Sequence, residues 1–510
     1  MIRKLTICYT SDTHGYFFPT NYVDSDEKNM GLMKIAAMFP RGGNCLILDG
    51  GDTIQGSPMT NYYYRLDEDQ KRGAHPFAAL MNLCGYQYVA LGNHDFNHGV
   101  AALREYLEAL NARCLSCNIA DRAGRLPVVP WAVHTLENGL RVGLVGACTD
   151  FVRRWENPAT VAELEIREPV AACREALREV KPKCDVTVLI YHGGYECDLE
   201  DGHPLTENRE NQASRIAREL DFDIVLTGHQ HMSVPCRRLG NSWVAQPAYR
   251  GLDYCRIEAE VRDDGTVFAR GTNEKPYLPA LKEAEALLAP LEAETQRWLD
   301  TPVGHLDREL TVAKHIDMAL TGSPLANFIN AVTTELTGAR ISATALANEA
   351  KGLPREVTIR NVVAAYIYAN TSVVLEMSGR DLKRYMERSA AYFRVDDSGN
   401  VTVSDDFLLP KVQHYNYDYF SGVEYEIDLR NPPGRRIVSM KADGRELGAD
   451  ERVTVCVSSY RFNGSGGYDM LPGQKVIRDV QVDTADAIIE YILRHPDIRV
   501  DTRAWYTVKR

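Results

Sequence analysis

The sequence predicts a layered α/β protein made of two domains and a helical connector. At 510 residues the chain is too long for one compact core, because domains usually contain roughly 100–200 residues. Short apolar runs alternate with helical patterns up to about residue 270, and a segment dense in Ala, Glu and Leu follows. We therefore place the first domain at 1–275, the connector helix at 276–304 and the second domain at 305–510.

The apolar runs of the first domain have the length of buried strands, and a polar cluster follows each of them at once. The runs lie at 5–9, 45–48, 88–91, 142–145, 186–190 and 224–226. In open α/β sheets, ligands gather beyond the carboxyl ends of the strands. Several clusters rich in Asp, Asn, His and Gly in one domain therefore predict one shared site.

The connector is predicted from apolar side chains at near-helical spacing between residues 279 and 299, despite Pro290. These side chains are Leu281, Leu287, Leu288, Leu291 and Trp298. A last helix of the first domain explains the same pattern equally well. We expect the second domain to mix helices such as 379–391 with strands such as 423–429 and 453–457.

The charge balance argues against a long nucleic acid as partner. The chain has 58 basic and 70 acidic residues, which gives a net charge of −12. A protein that binds the phosphate backbone broadly needs a basic surface instead. We expect a small anionic substrate held by metal ions or local dipoles. No self-complementary surface is legible in the sequence, so the oligomeric state stays open.

Membrane and disulfide signals are absent from the sequence. It has no run of about 18 apolar residues, and its first residues leave no room for an apolar signal core before the cluster at 11–14. The 12 cysteines are scattered, several of them in apolar runs, as reduced buried thiols are. We interpret the pair Cys114 and Cys117 as structural. These features predict a cytoplasmic protein, although a secreted or cell-envelope protein that has lost its signal peptide would share them.

Polar clusters at five strand ends carry the candidate chemistry. They lie at 12–14, 50–52, 92–95, 191–194 and 228–231. Each one alone has a plainer explanation, such as an Asx turn or a hydrogen-bonded structural histidine. All of them occur at the end of an apolar run, however, and this coincidence favours a metal site. Carboxylate, amide and imidazole groups without thiolate suit Mn, Zn, Fe or Co, whereas structural zinc usually takes cysteine ligands.

With these clusters the sequence resembles the calcineurin-like metallophosphoesterases, in the family of 5′-nucleotidases and cyclic-nucleotide phosphodiesterases. The resemblance covers nearly the whole chain. It implies a four-layer α/β/β/α metallophosphoesterase domain, followed by a smaller mixed α/β nucleotidase domain. It also implies two divalent metal ions. Carried over by motif, one ion would bind Asp12, His14, Asp52 and His231, and the other would bind Asp52, Asn93, His192 and His229, so that Asp52 bridges them.

The resemblance further implies a mechanism without a covalent phosphoenzyme. Two ions about 3.5–4 Å apart lower the pKa of a bridging water and polarise the phosphoryl oxygens. The resulting hydroxide attacks phosphorus in line with the leaving oxygen. His94 would face the substrate as a catalytic residue and stabilise or protonate that oxygen.

Asn97 and two short segments distinguish between branches of the family. In 5′-nucleotidases the residue that corresponds to Asn97 is usually Asp, which pairs with the catalytic histidine. An Asn orients an imidazole but does not raise its pKa as a carboxylate does. The segments 51–58 and 341–345 also resemble the 2′,3′-cyclic-nucleotide 2′-phosphodiesterase/3′-nucleotidases. This branch implies hydrolysis of 2′,3′-cyclic nucleotides to 3′-nucleotides and on to nucleosides, as in the breakdown of RNA products.

The same branch implies a nucleoside site in the second domain. Tyr368 and Tyr460 would sandwich the base, Asn370 would bond its edge, and Phe462 competes with Tyr460 for the stacking role. Stacking on an aromatic ring contributes about 1–3 kcal/mol per base and tolerates any base. A core position is the plainer explanation for Tyr368, because it lies in an apolar stretch.

Two other functions compete with this assignment. A 5′-nucleotidase or nucleotide-sugar hydrolase shares the metal core, but Asn97 and the missing arginine-containing phosphate loop argue against it. A catalytically inactive nucleotide-binding protein would have lost ligands, whereas every position that matches a metal ligand of the family is filled here.

Overall fold

The chain forms two compact units in the computed structural model. The structure describes residues 2–24, 26–71, 73–156, 158–204, 209–368, 370–396, 398–409, 412–462, 471, 474–480 and 482–510. The units are Met1–Gln296 and Arg297–Arg510. The division falls within the helix Lys282–Leu299, which contains Pro290 and lies in the predicted connector segment. The separate connector of 276–304 stays a prediction.

Strands of the first unit follow the predicted apolar runs and add others between them. They are β1 (Ile2–Thr10), β2 (Cys45–Asp49), β3 (Tyr88–Ala90), β4 (Arg113–Leu115), β5 (Ile119–Asp121), β6 (Val128–Val129), β7 (Trp131–Thr135), β8 (Arg141–Cys148), β9 (Leu164–Ile166), β10 (Val186–His192), β11 (Ile224–Thr227), β12 (Val234–Leu239), β13 (Ser242–Gln246), β14 (Tyr254–Arg262) and β15 (Val267–Glu274).

Helices of the first unit connect these strands. They are α1 (Leu32–Ala36), α2 (Pro58–Arg65), α3 (Pro76–Cys84), α4 (Gly99–Glu108), α5 (Val152–Trp155), α6 (Pro158–Glu163), α7 (Pro169–Val180), α8 (Ala213–Glu219) and α9 (Lys282–Leu299), with short 3-10 turns at His94–Phe96 and Lys181–Lys183. Several begin at a side-chain cap. Ser57, for example, accepts from the backbone N–H of Thr60 at the start of α2.

Two mixed sheets face each other in the first unit. One has the strand order β15-β14-β1-β2-β3-β4-β6, and the other has the order β12-β13-β11-β10-β8-β7. Buried side chains from both sheets, including Leu5, Ile7, Leu144 and Ile190, form one core cluster. Helices α7 and α8 pack on the other face of the second sheet. Because that sheet is covered on both faces, β10 is buried along its whole length.

Strand register brings the carboxyl ends of the central strands to the same level. Strands β1, β2 and β3 are parallel neighbours, with Thr10 opposite Asp49 and Asp49 opposite Val89. In the second sheet β10 and β11 are also parallel, with Tyr191 opposite Thr227. The polar clusters that follow these strands therefore lie together at one edge.

The second unit is a mixed α/β structure, as the sequence predicts. Its strands are β16 (Pro302–His305), β17 (Ile341–Ala345), β18 (Glu356–Thr358), β19 (Ser372–Ser378), β20 (Phe393–Val395), β21 (Val401–Val403), β22 (Asp418–Ser421), β23 (Glu424–Asp428), β24 (Ile437–Ala442), β25 (Arg445–Glu446), β26 (Arg452–Ser458), β27 (Lys475–Val480) and β28 (Tyr506–Lys509). Its helices are α10 (His315–Thr321), α11 (Pro324–Thr337), α12 (Ile359–Ala365), α13 (Gly379–Ala390), α14 (Ser459–Phe462) and α15 (Thr484–Arg494), with 3-10 turns at Asp405–Phe407 and His414–Asn416.

Two larger sheets organise this unit, with the orders β22-β17-β26-β19-β27 and β25-β24-β23-β28. Helix α11 packs against β17, and α13 packs against β19 and β24. The predicted helix at 379–391 is therefore confirmed as α13, and the strands predicted at 423–429 and 453–457 are confirmed as β23 and β26.

The cysteines of this chain lie at buried or half-buried positions. Cys114 is buried in β4, whereas the Sγ atom of Cys117 lies 3.9 Å from that of Cys173. Cysteines of the chain form no disulfide among the described residues. None of the helices in the described ranges is both long enough and apolar enough to cross a membrane.

Candidate metal centre

The polar clusters of the first unit converge at the shared edge of the two sheets. Asp12 and His14 follow β1, Asp52 follows β2, and Asn93 follows β3. From the second sheet, His192 ends β10, and His229 and His231 follow β11. The structure thus brings together all the metal ligands that the resemblance implies.

Strained backbone marks five of these seven residues. Asp12, His14, Asp52, His229 and His231 have φ angles of 55°, 50°, 55°, 72° and 58°. Such conformations are uncommon for residues other than glycine and cost on the order of 1–3 kcal/mol each. They persist where surrounding bonds hold them, and they concentrate at functional sites.

Asp95 holds the strained turn of Asp52. Its buried carboxylate accepts from the backbone N–H groups of Asp52, Thr53 and Ile54 at 2.9, 2.9 and 3.2 Å. It also accepts from the N–H of Gly92 at 2.8 Å, which ties the turn after β2 to the turn after β3. Asp95 was not among the predicted site residues, because a carboxylate that binds only backbone leaves no motif of its own.

Side-chain atoms of the cluster approach one another as metal ligands do. His14 Nε2 lies 3.0 Å from His231 Nε2, and Asp12 Oδ1 lies 3.5 Å from the same His231 atom. Asp52 Oδ2 lies 3.8 Å from His14 Nε2 and 3.2 Å from His192 Nε2. One carboxylate oxygen of Asp52 therefore stands between two imidazoles from different sheets.

Hydrogen bonds to backbone carbonyls fix the tautomers of two of these histidines. His14 Nδ1 donates to the carbonyl of Gln55 at 3.0 Å, and His192 Nδ1 donates to that of Gly50 at 2.7 Å. Because a carbonyl only accepts, the Nδ1 atoms carry protons and the Nε2 atoms face the cluster.

The residues fit a cation at this point. Among the described residues Asp52 Oδ2 is buried and has no partner in hydrogen-bond geometry. Burial lowers the pKa of His14 to about 4, so that its ring is neutral near pH 7. Burial also lowers the pKa of His192, but the charges of Asp52 and Asp12 raise it to about 10 overall. A divalent ion would take the place of the proton that His192 otherwise holds.

Asn93 and His229 extend the cluster on the side of the second sheet. Asn93 Oδ1 lies 3.2 Å from His192 Nε2 and 2.9 Å from His229 Nδ1. His229 Nε2 donates to Glu210 Oε1 at 2.9 Å, so this ring presents its Nδ1 atom to the cluster. Glu210 was missed by sequence analysis, because it lies between strands and outside the clusters that the motifs define.

His94 lies at the open side of the cluster. Its backbone N–H donates to Asp52 Oδ1 at 2.7 Å, and its ring contacts that of His14 edge to face at 5.4 Å. His94 Nδ1 lies 2.8 Å from Asn97 Oδ1, as expected for an orienting amide. The amide nitrogen of Asn97 donates in turn to Glu156 Oε1, a contact that sequence analysis did not anticipate.

The solvent exposure of the side chains differs between the two sides of the metal centre. The side chains of Asp12 and His192 are fully buried, whereas that of His231 is 36% exposed. Trp155 stacks on His229 with ring centroids 5.3 Å apart, and Tyr249 stacks on His231 at 4.6 Å. The centre is therefore anchored deep in the unit and opens on the side of His231 and His94.

The predicted nucleoside residues lie in the second unit. Tyr368 is 39% exposed, which removes the explanation that it belongs to the core. Tyr415 contacts Tyr368 at 5.9 Å and Tyr460 at 6.2 Å, in both cases edge to face. Tyr415 was not predicted, and it brings the two named tyrosines into one aromatic cluster.

Asn370 and Phe462 are the other two predicted nucleoside residues. The backbone carbonyl of Asn370 accepts from the N–H and the hydroxyl of Thr484, and its own N–H donates to the carbonyl of Tyr368. The side chain of Phe462 lies outside the described part of the structure. Beside it, the buried Arg461 pairs with Asp418 at 2.8 Å and fixes the segment that carries Tyr460.

Each of the two units matches a family model of known proteins. Residues 5–233 match the family model described as calcineurin-like phosphoesterase, and residues 302–473 match the 5′-nucleotidase C-terminal domain. A solved structure, a putative 5′-nucleotidase from Staphylococcus aureus in complex with alpha-ketoglutarate, is 30% identical over 100% of both chains, with a TM-score of 0.89.

Curated relatives are more distant in sequence. The trifunctional nucleotide phosphoesterase protein YfkN of Bacillus subtilis is 22% identical over 97% of this chain, which spans only 38% of that protein's length. The 2′,3′-cyclic-nucleotide 2′-phosphodiesterase/3′-nucleotidase of Haemophilus influenzae is 23% identical over 90% of this chain and 80% of its own length. On these matches, the chain belongs to the calcineurin-like metallophosphoesterases that carry a 5′-nucleotidase C-terminal domain.

Proposed function

We propose that this protein is a metal-dependent hydrolase of nucleotide phosphoesters, which converts 2′,3′-cyclic nucleotides to 3′-nucleotides and these to nucleosides. The observation that carries the proposal is the position of Asp52 Oδ2, buried between His14 Nε2 and His192 Nε2 without a hydrogen-bond partner among the described residues. A carboxylate oxygen placed between two ligand sets is the usual bridge of a two-metal phosphoesterase site.

Two ligand sets follow from this geometry. Asp12, His14, Asp52 and His231 would hold one ion, and Asp52, Asn93, His192 and His229 would hold the other. When bound, two such ions supply a nucleophilic hydroxide near neutral pH and polarise the phosphoryl oxygens. Mn, Zn, Fe and Co all suit these donors.

His94 is the proposed catalytic residue of the chain. It stands beside the cluster without belonging to either ligand set, and its Nδ1 atom faces Asn97. Its Nε2 atom is therefore directed away from Asn97, and as an imidazolium it donates a proton or a hydrogen bond to the leaving oxygen. Partial exposure of the ring suits a group that must meet substrate.

The substrate class is proposed from the resemblance to the cyclic-nucleotide branch and from the aromatic residues of the second unit. Asn97 matches the cyclic-nucleotide branch, and relatives named for that activity cover most of this chain. Exposed Tyr368, together with Tyr460, offers aromatic surface for a base, and Asn370 and Phe462 remain the proposed companions. The second candidate is a 5′-nucleotidase, favoured by the name of the 30% identical structure from Staphylococcus aureus.

Purified protein loaded with Mn²⁺ should be incubated separately with 2′,3′-cyclic AMP, 3′-AMP and 5′-AMP, with EDTA-treated controls, and the products separated by chromatography. We expect cyclic AMP to pass through 3′-AMP to adenosine, and only with metal. Release of adenosine from 5′-AMP alone would assign the protein to the 5′-nucleotidases instead.

The proposed location is the cytoplasm, with secretion or the cell envelope as the alternative. The cysteines lie scattered at buried or half-buried positions, and reduced thiols are typical of a reducing compartment. A solved relative is described as a 5′-nucleotidase precursor from Thermus thermophilus, which favours the alternative. Fractionation of the source cells separates the two.

A further inference from the structure

We propose that Glu156 is a positioning residue for His94, acting through the side-chain amide of Asn97. This inference rests on the proposed function, in which His94 meets the substrate. Asn97 Oδ1 lies 2.8 Å from His94 Nδ1, and Asn97 Nδ2 donates to Glu156 Oε1. The chain thus places a carboxylate behind the amide that occupies the position of an Asp in related 5′-nucleotidases.

Glu156 is needed because an amide has two ends of nearly the same shape and opposite hydrogen-bonding character. Asn97 is exposed, so solvent and not a packed core surrounds much of its side chain. A carboxylate only accepts hydrogen bonds, and it therefore selects the NH₂ end of Asn97. The oxygen end is then left facing His94.

The selected orientation determines the tautomer of His94. Facing the oxygen of Asn97, Nδ1 of His94 keeps its proton in the neutral and in the protonated ring, so Nε2 is the atom that gains and gives up the proton that serves the substrate. If the amide were reversed, its NH₂ group would face Nδ1 and favour the opposite tautomer. Control of a catalytic tautomer by the partner of the other ring nitrogen is a general device.

Glu156 reaches this position from a different part of the fold. It directly follows helix α5, whose last residue, Trp155, stacks on His229 at 5.3 Å. The Asn97 turn follows β3 of the first sheet, whereas α5 follows β8 of the second sheet. The contact therefore links loops from the two sheets at the open side of the metal centre. A hydrogen bond within one local turn would make no such link.

Variants that exchange the amide of Asn97 and the carboxylate of Glu156 test the proposed positioning of His94. In E156Q the Gln side chain no longer selects the NH₂ end of Asn97, and we expect kcat to fall about 10- to 100-fold, as for the loss of a hydrogen bond to a charged group, with KM within about twofold. In N97D/E156Q, the new carboxylate accepts from His94 Nδ1 and from the Gln amide. Adding N97D to E156Q should therefore restore most of kcat.

The matched control is E163Q. Glu163 is an exposed glutamate on the neighbouring helix α6, and its carboxylate pairs with Arg125 at 3.2 Å. We expect E163Q to keep the wild-type kcat. Bound metal, measured by elemental analysis, should stay unchanged in all these variants, because none of them removes a proposed ligand.

A readout that needs no substrate separates this inference from the proposed function. Zinc-loaded protein labelled with ¹⁵N-histidine, with the His94 signals assigned by their loss in H94A, reports the tautomer of His94 by NMR. At a pH at which the His94 ring is neutral, we expect the Nδ1-protonated form in the wild type, a mixture in E156Q, and the Nδ1-protonated form again in N97D/E156Q.

A wild-type tautomer in E156Q overturns the inference, and so does a failure of N97D to restore the tautomer or kcat in the E156Q background. An altered tautomer with unchanged kcat also overturns it. If the wild-type protein hydrolyses none of the nucleotides, the proposed function fails, while the NMR comparison still decides the role of Glu156.

Discussion

Glu210 is the carboxylate that contacts the proposed ligand His229 from outside the ligand set, at 2.9 Å from its Nε2 atom. Such partners orient a metal-binding ring and make it a better donor, and their loss typically lowers metal affinity or activity about 10- to 100-fold. We expect Glu210→Ala to weaken the binding of Mn²⁺ by such a factor, as measured by titration calorimetry.

The control for this variant is Glu219→Ala, which removes an exposed glutamate that pairs with Arg215. Unchanged Mn²⁺ affinity in Glu210→Ala, or an equal loss in both variants, would contradict the role of Glu210.

His94 contributes to turnover without holding metal. We expect His94→Ala to bind the same amount of Mn²⁺ as the wild type and to lower kcat by about 10²- to 10⁴-fold, the usual range for a positioned acid or base. Elemental analysis and product chromatography of the same sample check both statements. A variant that loses metal would place His94 among the ligands.

The ligand cluster is predictable from residue types and from their positions at the ends of apolar runs. Asp95, Glu210 and Glu156 are not, because their partners lie elsewhere in the sequence and each bond depends on the tertiary fold. An Asp beside Asn93 and His94 is legible, but four backbone N–H groups converging on its carboxylate are not. Sequence patterns thus indicate the groups that face the substrate more readily than those that hold them.

Loops after β2 and β3 depend on each other through Asp95. An unsatisfied buried donor costs about 1–3 kcal/mol, and Asp95→Ala would leave several of them. We expect the free energy of unfolding of the first unit to fall by about 3 kcal/mol or more in urea titrations, with weaker Mn²⁺ binding, since the Asp52 turn loses its support.

Asp95→Asn serves as the comparison, because its amide keeps one acceptor oxygen while the NH₂ group opposes a backbone donor. An intermediate loss is expected. Equal stability of Asp95→Ala and the wild type would show that the turn of Asp52 holds its conformation without this carboxylate.

The positions of the main strands were predictable from the sequence, but the pairing of the strands into sheets was not. Apolar runs such as 186–190 identify β10 because strands buried on both faces read as continuous hydrophobic sequence. The short strands β5, β6 and β9 carry no such run, and they exist through partners that tertiary contacts supply. Likewise β14 extends the first sheet antiparallel to β1, a pairing with no local signal, and β15 in turn pairs antiparallel with β14.

At the scale of the molecule, the predicted layered α/β fold and the second mixed domain are confirmed, while a connector separate from both is not resolved by the division into two units. Length and alternating patterns were sufficient for the first two statements. Whether a long helix is part of one domain or the other depends on the residues that it packs against at each end. The spacing of its leucines does not encode that packing.

The proposed ions bind only the first unit, and this makes a prediction about the whole chain. A ligand that binds only the folded state stabilises it by RT ln(1 + [L]/Kd), which is about 2.7 kcal/mol at a hundred times Kd. In calorimetry of the 510-residue chain we expect two unfolding transitions, of which Mn²⁺ raises one by roughly 4–8 °C and EDTA reverses the shift. The His192→Ala variant identifies that transition as the first unit, because removing a ligand of one ion should reduce the response while the other transition stays in place. Equal shifts of both transitions with Mn²⁺, or a full response in His192→Ala, would contradict a metal centre confined to this unit.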